Sequence, residues 1–274
     1  MSDPWACATK TTGTAVPRSF LHLEAICRRM PRGVGEAAFV SRLPEEMRAI
    51  AGAVTQLGDM WFVLTGIALV YVVSEFGYEA AENPRKDALY LFALAVGAYC
   101  LTVAMKAVFA LPRPPDATAV TPPAWIPVLA GPVCESMVTA EGYGFPSGHA
   151  LKTAAVYGGA AITLRGWNRS RRVLAAGAVT VLVSVSRVVL GVHYLVDVVV
   201  GTVVGVAFLG TVARIAGRDP TRALLIATGI GLLAFAMSPG YKTGFAVGGV
   251  ALALGMAMFT DRKRPATYAD RNIN

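Results

Sequence analysis

Apolar residues run along most of this chain in long blocks separated by short polar stretches. Seven blocks have the continuity of membrane-spanning helices, near residues 50–74, 88–111, 149–165, 173–190, 194–215, 222–238 and 244–260. About 20 apolar residues of helix cross the hydrocarbon core of a bilayer, with a working range of about 17–25. The third, sixth and seventh blocks sit at the short end of that range. The pattern predicts an all-α fold, a polytopic membrane bundle of about seven transmembrane helices. Gly201 and Gly205 stand four apart in the fifth block, the spacing that lets helices approach closely in lipid. Glycine abundance, 28 residues in all, is the plainer source of such a spacing.

Residues 1–49 lack a continuous apolar core, so no cleavable signal peptide is visible and the chain inserts through its own spans. Within them, residues 19–30 place Phe20, Leu23, Cys27 and Met30 on one helical face, the pattern of an interfacial helix. The expected organisation is an N-terminal segment at 1–49, a membrane core at 50–215, and two further spans with a basic tail at 216–274.

Composition agrees with a membrane protein. The chain is 55% hydrophobic and 15% charged, where soluble domains carry about 25% charged residues. The net charge of +8 sits in short loops between apolar blocks. That placement reads as a topology signal and as contact with anionic headgroups, not as a nucleic-acid surface. Cys7, Cys27, Cys100 and Cys134 show no CxxC spacing, so neither a disulfide framework nor a zinc site is expected.

The loop charges also assign sides. Arg85 and Lys86, then Arg165, Arg169, Arg171 and Arg172, then Arg214, Arg218 and Arg222, then Arg262, Lys263, Arg264 and Arg271 occupy loops that share one side if the spans alternate. The positive-inside rule makes that side cytoplasmic. The opposite loops, 112–148 and 239–243, carry only Arg113 and Lys242. The same alternation puts residues 1–49 outside, although they hold seven Lys/Arg against five acidic residues. Either their low net charge lets them translocate or one short span is re-entrant.

The polar residues at the outer block ends carry the candidate chemistry. His193 and Asp197 are four apart and share a helix face. A carboxylate on one imidazole nitrogen fixes the tautomer and frees the other as a nucleophile. In a soluble helix this pair reads as a surface contact; in a membrane, ionisable residues mark function. His149 follows Pro146, Ser147 and Gly148 at the start of a block, where a helix N-terminus offers N–H groups to an anion. It can act as general acid; the bland alternative is a capping serine beside an incidental histidine. Lys106, Arg113 and Arg187 close blocks on the same side. Singly they read as snorkelling cations; together they suit phosphoryl oxygens. Lys152, three residues after His149, either adds a cation for a second phosphate or snorkels outward. Asp59 and Gln56 lie in the first block, and helix–helix hydrogen bonding is the rival to a functional role there. Tyr143 and Phe145 read as interfacial aromatics or a pocket rim, and His22 as incidental.

Lys106, six residues, Arg113-Pro114; then Pro146-Ser147-Gly148-His149; then Ser186-Arg187, five residues, His193, three residues, Asp197: this order resembles the tripartite signature of the type-2 phosphatidic acid phosphatase superfamily. That superfamily holds integral-membrane lipid phosphatases, soluble acid phosphatases and vanadium haloperoxidases. The match covers 106–197 directly, and the helical layout extends it over roughly 50–215. The resemblance implies His193 as the nucleophile forming a phosphohistidine, Asp197 as its orienting group, and His149 as proton donor to the leaving group. It implies that Lys106, Arg113, Ser147, Gly148 and Arg187 hold the phosphoryl oxygens, with no metal and no cofactor.

The expected protein is an integral membrane phosphatase of the cell membrane with its site on the extracytoplasmic face. It is expected to hydrolyse a lipid phosphate monoester or diphosphate, with membrane lipids and no nucleic acid as partners. Phosphatidic acid, phosphatidylglycerol phosphate and polyprenyl diphosphate all fit. The nearest rival is a lipid phosphotransferase built on the same residues. A vanadate-dependent haloperoxidase suits seven spans less well. A transporter would string polar residues across the bilayer instead of gathering them at one end.

Overall fold

The computed structural model describes residues 32–36, 40, 42–77, 80–114, 117 and 142–262. The expected interfacial helix at 19–30, with His22, lies outside the described residues. Among the described residues eight α-helices follow one another: α1 (Glu45–Thr55), α2 (Met60–Glu75), α3 (Pro84–Phe109), α4 (Gly148–Thr163), α5 (Arg169–Val189), α6 (Leu195–Ala216), α7 (Pro220–Met237) and α8 (Tyr241–Arg262). Their starts follow local chemistry. Pro84 and Pro220 open α3 and α7, where the missing N–H costs nothing. Asn168 and Asp219 accept N–H bonds from Arg171 and Thr221, both at 2.9 Å. Ala110, left-handed at φ 46°, ends α3 just before Pro112.

Among the described residues, the expected count of seven spans is not confirmed. Helices α3, α5, α6, α7 and α8 are long and apolar enough to cross a membrane, and α1 with α2 forms one bent candidate, giving five or six. The third block falls short, since α4 has only 16 residues. Most of α4 is buried, packed between α3, α5 and α6. A helix enclosed by protein need not match the thickness of lipid.

The first block, read as one span, breaks in the middle. A 3₁₀ turn (Gln56–Gly58) and an extended Asp59, at φ −76° and ψ 148°, turn the chain through 53°. The Tyr157 hydroxyl donates to the Leu57 carbonyl at 2.8 Å, and Trp61 Nε1 donates to Gln56 Oε1 at 3.2 Å. These bonds satisfy polar groups at the break, which lipid would leave unpaired. Gln56 therefore serves the turn.

Helix α3 packs along α7 and forms the centre of the main core. Leu91, Leu94, Ala95 and Ala98 meet Leu224 and Ala227 there. Leu174, Val181, Val203, Leu232, Phe245 and Leu252 point outward, more than half exposed. An apolar exterior of this kind suits hydrocarbon, not water.

The closest approach is between α4 and α6. A Cβ on Gly201 would come 2.5 Å from the Ser147 carbonyl oxygen, and one on Gly205 would strike the Leu151 carbonyl and Ala154. The Ser147 N–H donates to the Asp197 carbonyl at 2.9 Å. The two glycines thus let the two helix N-termini meet. The loops at the other ends of these helices are tied separately: Ala81 bridges Leu164, while Arg165 and Arg218 both pair with Glu82.

Gly205→Val should lose about 1–3 kcal/mol by overpacking, read as a lower thermal unfolding midpoint in detergent. A Cβ at Gly210 on the same helix meets nothing within 4 Å, so Gly210→Val should leave the midpoint nearly unchanged. Equal shifts would contradict the close-packing account.

Candidate active site

Five structural positions deliver the polar residues to one end of the bundle. The α1–α2 break supplies Asp59, and the end of α3 with its following loop supplies Lys106 and Arg113. The start of α4 supplies Ser147, Gly148, His149 and Lys152. The end of α5 supplies Arg187, and the α5–α6 connection with the start of α6 supplies His193 and Asp197. Every candidate residue from the sequence reading lies in this cluster. Lys106 interacts electrostatically with Arg113, Arg187, Lys152 and Asp197, so residues far apart in the chain share one site.

His193 is held from both ring nitrogens. Arg113 Nη1 lies 3.0 Å from Nε2. A guanidinium has no acceptor, so it donates and Nε2 carries a lone pair. Nδ1 faces Asp197 Oδ2 at 3.4 Å, a long contact, and carries the ring proton. Asp197 Oδ2 also accepts the Tyr194 N–H at 3.0 Å, as in a helix cap. Burial, with help from Arg187, Arg113, Lys106 and His149, holds the His193 pKa well below its ordinary value. The ring is therefore neutral at pH 7.

Arg113 is positioned by the Gly142 carbonyl at 3.2 Å and the Val192 carbonyl at 2.9 Å. Burial lowers its pKa to about 10, against the pull of Asp197, so it stays charged at neutral pH. Arg187 donates to Thr55 Oγ1 at 3.1 Å, while its buried Nε finds no protein acceptor. Ser147 Oγ is fully buried and also lacks a protein partner. Such groups in a folded protein call for an explanation, and an anion bound at the α4 N-terminus supplies one. A Cβ on Gly148 would lie 2.8 Å from Thr102 Cγ2, so glycine lets the α4 N-terminus sit tight against α3.

His149 Nε2 lies 3.1 Å from Asp59 Oδ1. Lys152 is buried one turn further along α4. It acts electrostatically on Asp59 and His149, which excludes the outward-snorkelling reading. Four cations (Lys106, Arg113, Lys152, Arg187) against two carboxylates (Asp59, Asp197) leave a formal excess of two positive charges, 4 − 2 = +2. That excess matches a phosphate monoester dianion.

Phe145 packs edge-on against Phe109, centroids 5.1 Å apart, and Tyr143 is about half exposed. Two contributors were missed from sequence. Thr55 holds Arg187, and Glu36 Oε1 accepts the Leu195 N–H at 3.0 Å at the start of α6. Neither residue stands in a motif, and no pattern around them marked a role.

A helical membrane protein with a buried cluster of cations and histidine–carboxylate pairs at one end of its bundle is the class these features define. The family model of the PAP2 superfamily matches residues 87–220. Those residues, with the three signature stretches among them, belong to that superfamily. No curated protein sequence matches it significantly. Among solved structures it resembles the first transmembrane PAP2-type phosphatidylglycerolphosphate phosphatase from Bacillus subtilis. The TM-score is 0.52 at 21% identity, over 73% of this chain and 94% of that one. At this identity the likeness concerns the fold.

The chain has three histidines, so ¹⁵N-histidine NMR can follow His193 alone. Its ring should remain the neutral Nδ1–H tautomer as the pH falls from 8 through 6.5, because burial and nearby cations oppose the added proton. Titration at or above pH 6.5 would contradict the neutral assignment.

Proposed function

We propose that this protein is a metal-independent lipid phosphatase that works through a phosphohistidine. The observation that carries the reading is the state of His193, with Nδ1–H on Asp197 and an unprotonated Nε2 beside Arg113. That is the form an imidazole needs to attack phosphorus.

In the first step the Nε2 lone pair forms a bond to phosphorus. The bond from phosphorus to the lipid oxygen breaks, its electron pair leaves with that oxygen, and His149 protonates it. In the second step water adds to phosphorus while His149 removes its proton. The P–N bond then breaks and returns its pair to Nε2. Lys106, Arg113, Arg187, the Ser147 hydroxyl and the N–H groups opening α4 meet the charge on the equatorial oxygens. Fixed donors of this kind supply most of the stabilisation in phosphoryl transfer.

Val108 and Phe109 are exposed and lie within one turn of Lys106, an apolar surface where an acyl chain can lie while the headgroup reaches the site. With the basic loops at the opposite end, the positive-inside rule places the site at the outer leaflet. Phosphatidylglycerol phosphate is one candidate, in line with the name of the Bacillus subtilis structure. Phosphatidic acid and polyprenyl diphosphate are the others.

Purified wild type in EDTA should release phosphate from at least one lipid phosphate or diphosphate of a panel. His193→Ala should lower release by at least about 10³-fold. Equal release by both proteins, or activity lost to EDTA and restored by Mg²⁺, would overturn the mechanism.

A further inference from the structure

The family signature begins at Lys106, yet a carboxylate 47 residues upstream is bonded to the second histidine of the site. Asp59 sits where the first candidate span breaks, with its backbone extended. The break is built. Tyr157, from α4 itself, donates to the Leu57 carbonyl, and Gly58 lies so near that a Cβ there would come 2.9 Å from His149 Cδ2. The Cδ2–Nε2 edge of the His149 ring therefore faces Gly58 and Asp59, and Nδ1 lies on the other side of the ring. Asp59 Oδ1 meets Nε2 at 3.1 Å.

We infer that Asp59 is a positioning residue that makes His149 the second half of a matched pair of histidine–carboxylate dyads. The inference rests on the phosphatase reading. Asp197 holds the proton on Nδ1 of His193 and leaves Nε2 to attack. Asp59 holds a proton on Nε2 of His149 and leaves Nδ1 to exchange the other. In the first step, imidazolium His149 gives its Nδ1 proton to the departing alcohol oxygen, which has taken the electron pair of the broken P–O bond. In the second step the same Nδ1 takes a proton from the attacking water, and the imidazolium is restored. Throughout, the other ring proton stays on Nε2, hydrogen-bonded to Asp59.

The electrostatics require such a partner. Burial first, then Arg187, Lys152, Lys106 and Arg113, opposes positive charge at His149, so the imidazolium of the first step forms as the substrate dianion offsets those cations. Among the described residues, Asp59 is the carboxylate bonded to this ring. Burial works against the charged form of Asp59, and Lys152 and Arg187 work for it. Lys152, buried within the bundle, thereby acts as the counter-ion of the Asp59–His149 dyad.

The test is the dependence on leaving group, read in kcat/KM, which covers only the steps through release of the alcohol. A short-chain alkyl phosphate needs its leaving oxygen protonated; p-nitrophenyl phosphate does not. General acid catalysis contributes about 10²–10⁴-fold. Asp59→Ala should therefore lower kcat/KM for the alkyl ester about 100-fold, and for the aryl ester less than about 3-fold. The retained aryl activity shows that the variant is folded. Asp59→Asn, of the same size, should show the same split. In a His149→Ala background, Asp59→Ala should cost the alkyl ester nothing further, as for residues acting as a unit. Equal losses for both esters, no loss for either, or additive losses in the double variant would overturn the dyad. A wild type inert toward both esters would instead overturn the phosphatase reading beneath it.

Discussion

The site depends first on how closely two helices can pack. Both histidine stretches lie at the beginnings of helices, Ser147 to His149 at α4 and His193 to Asp197 at α6. Those beginnings meet because Gly201 and Gly205 leave the α6 surface bare where the α4 backbone crosses it. The Ser147 N–H to Asp197 carbonyl bond fixes the register. Lipid gives no hydrophobic push between helices, so close backbone contact is a main source of association. The contact that stabilises the bundle is therefore also the one that sets the site's dimensions.

A second constraint is charge. Burying like charges together is costly, and each cation removed from water must be met by a partner. Arg113 uses two backbone carbonyls, Arg187 uses Thr55, and Lys152 is offset electrostatically by Asp59. These contacts are partial, and the formal excess of two positive charges suits a dianionic substrate. Each carboxylate has a specific place: Asp197 on His193 and Asp59 on His149. Stability and chemistry draw on the same groups, so part of the molecule's stability is committed to the site.

Much of this was legible in the sequence, for a physical reason. The three motif stretches fall at block ends, and block ends in a helical bundle share a membrane depth. Hydropathy and spacing were therefore enough to gather Lys106, Arg113, Ser147, His149, Arg187, His193 and Asp197 at one end. The close approach at Gly201 and Gly205 was visible as a spacing, although composition alone gave no means to choose it over chance. What stayed hidden depends on tertiary contact. Hydropathy does not record a turn at Asp59, because Ile50 to Val54 before it and Met60 to Leu64 after it read as one apolar block. The short α4 was read as a span because burial in protein and burial in lipid select the same side chains. Glu36 and Thr55 act through single bonds to distant residues, which leave no periodic trace.

The central claim is that His193 becomes covalently phosphorylated. The most direct measurement is to quench the enzyme within milliseconds of mixing with a ³²P-labelled lipid phosphate and locate the label by peptide mapping. The account predicts a phosphoenzyme that is stable in alkali and labile in acid, with the label on His193. A protein that turns over substrate yet carries no label, or carries it on another residue, would contradict it.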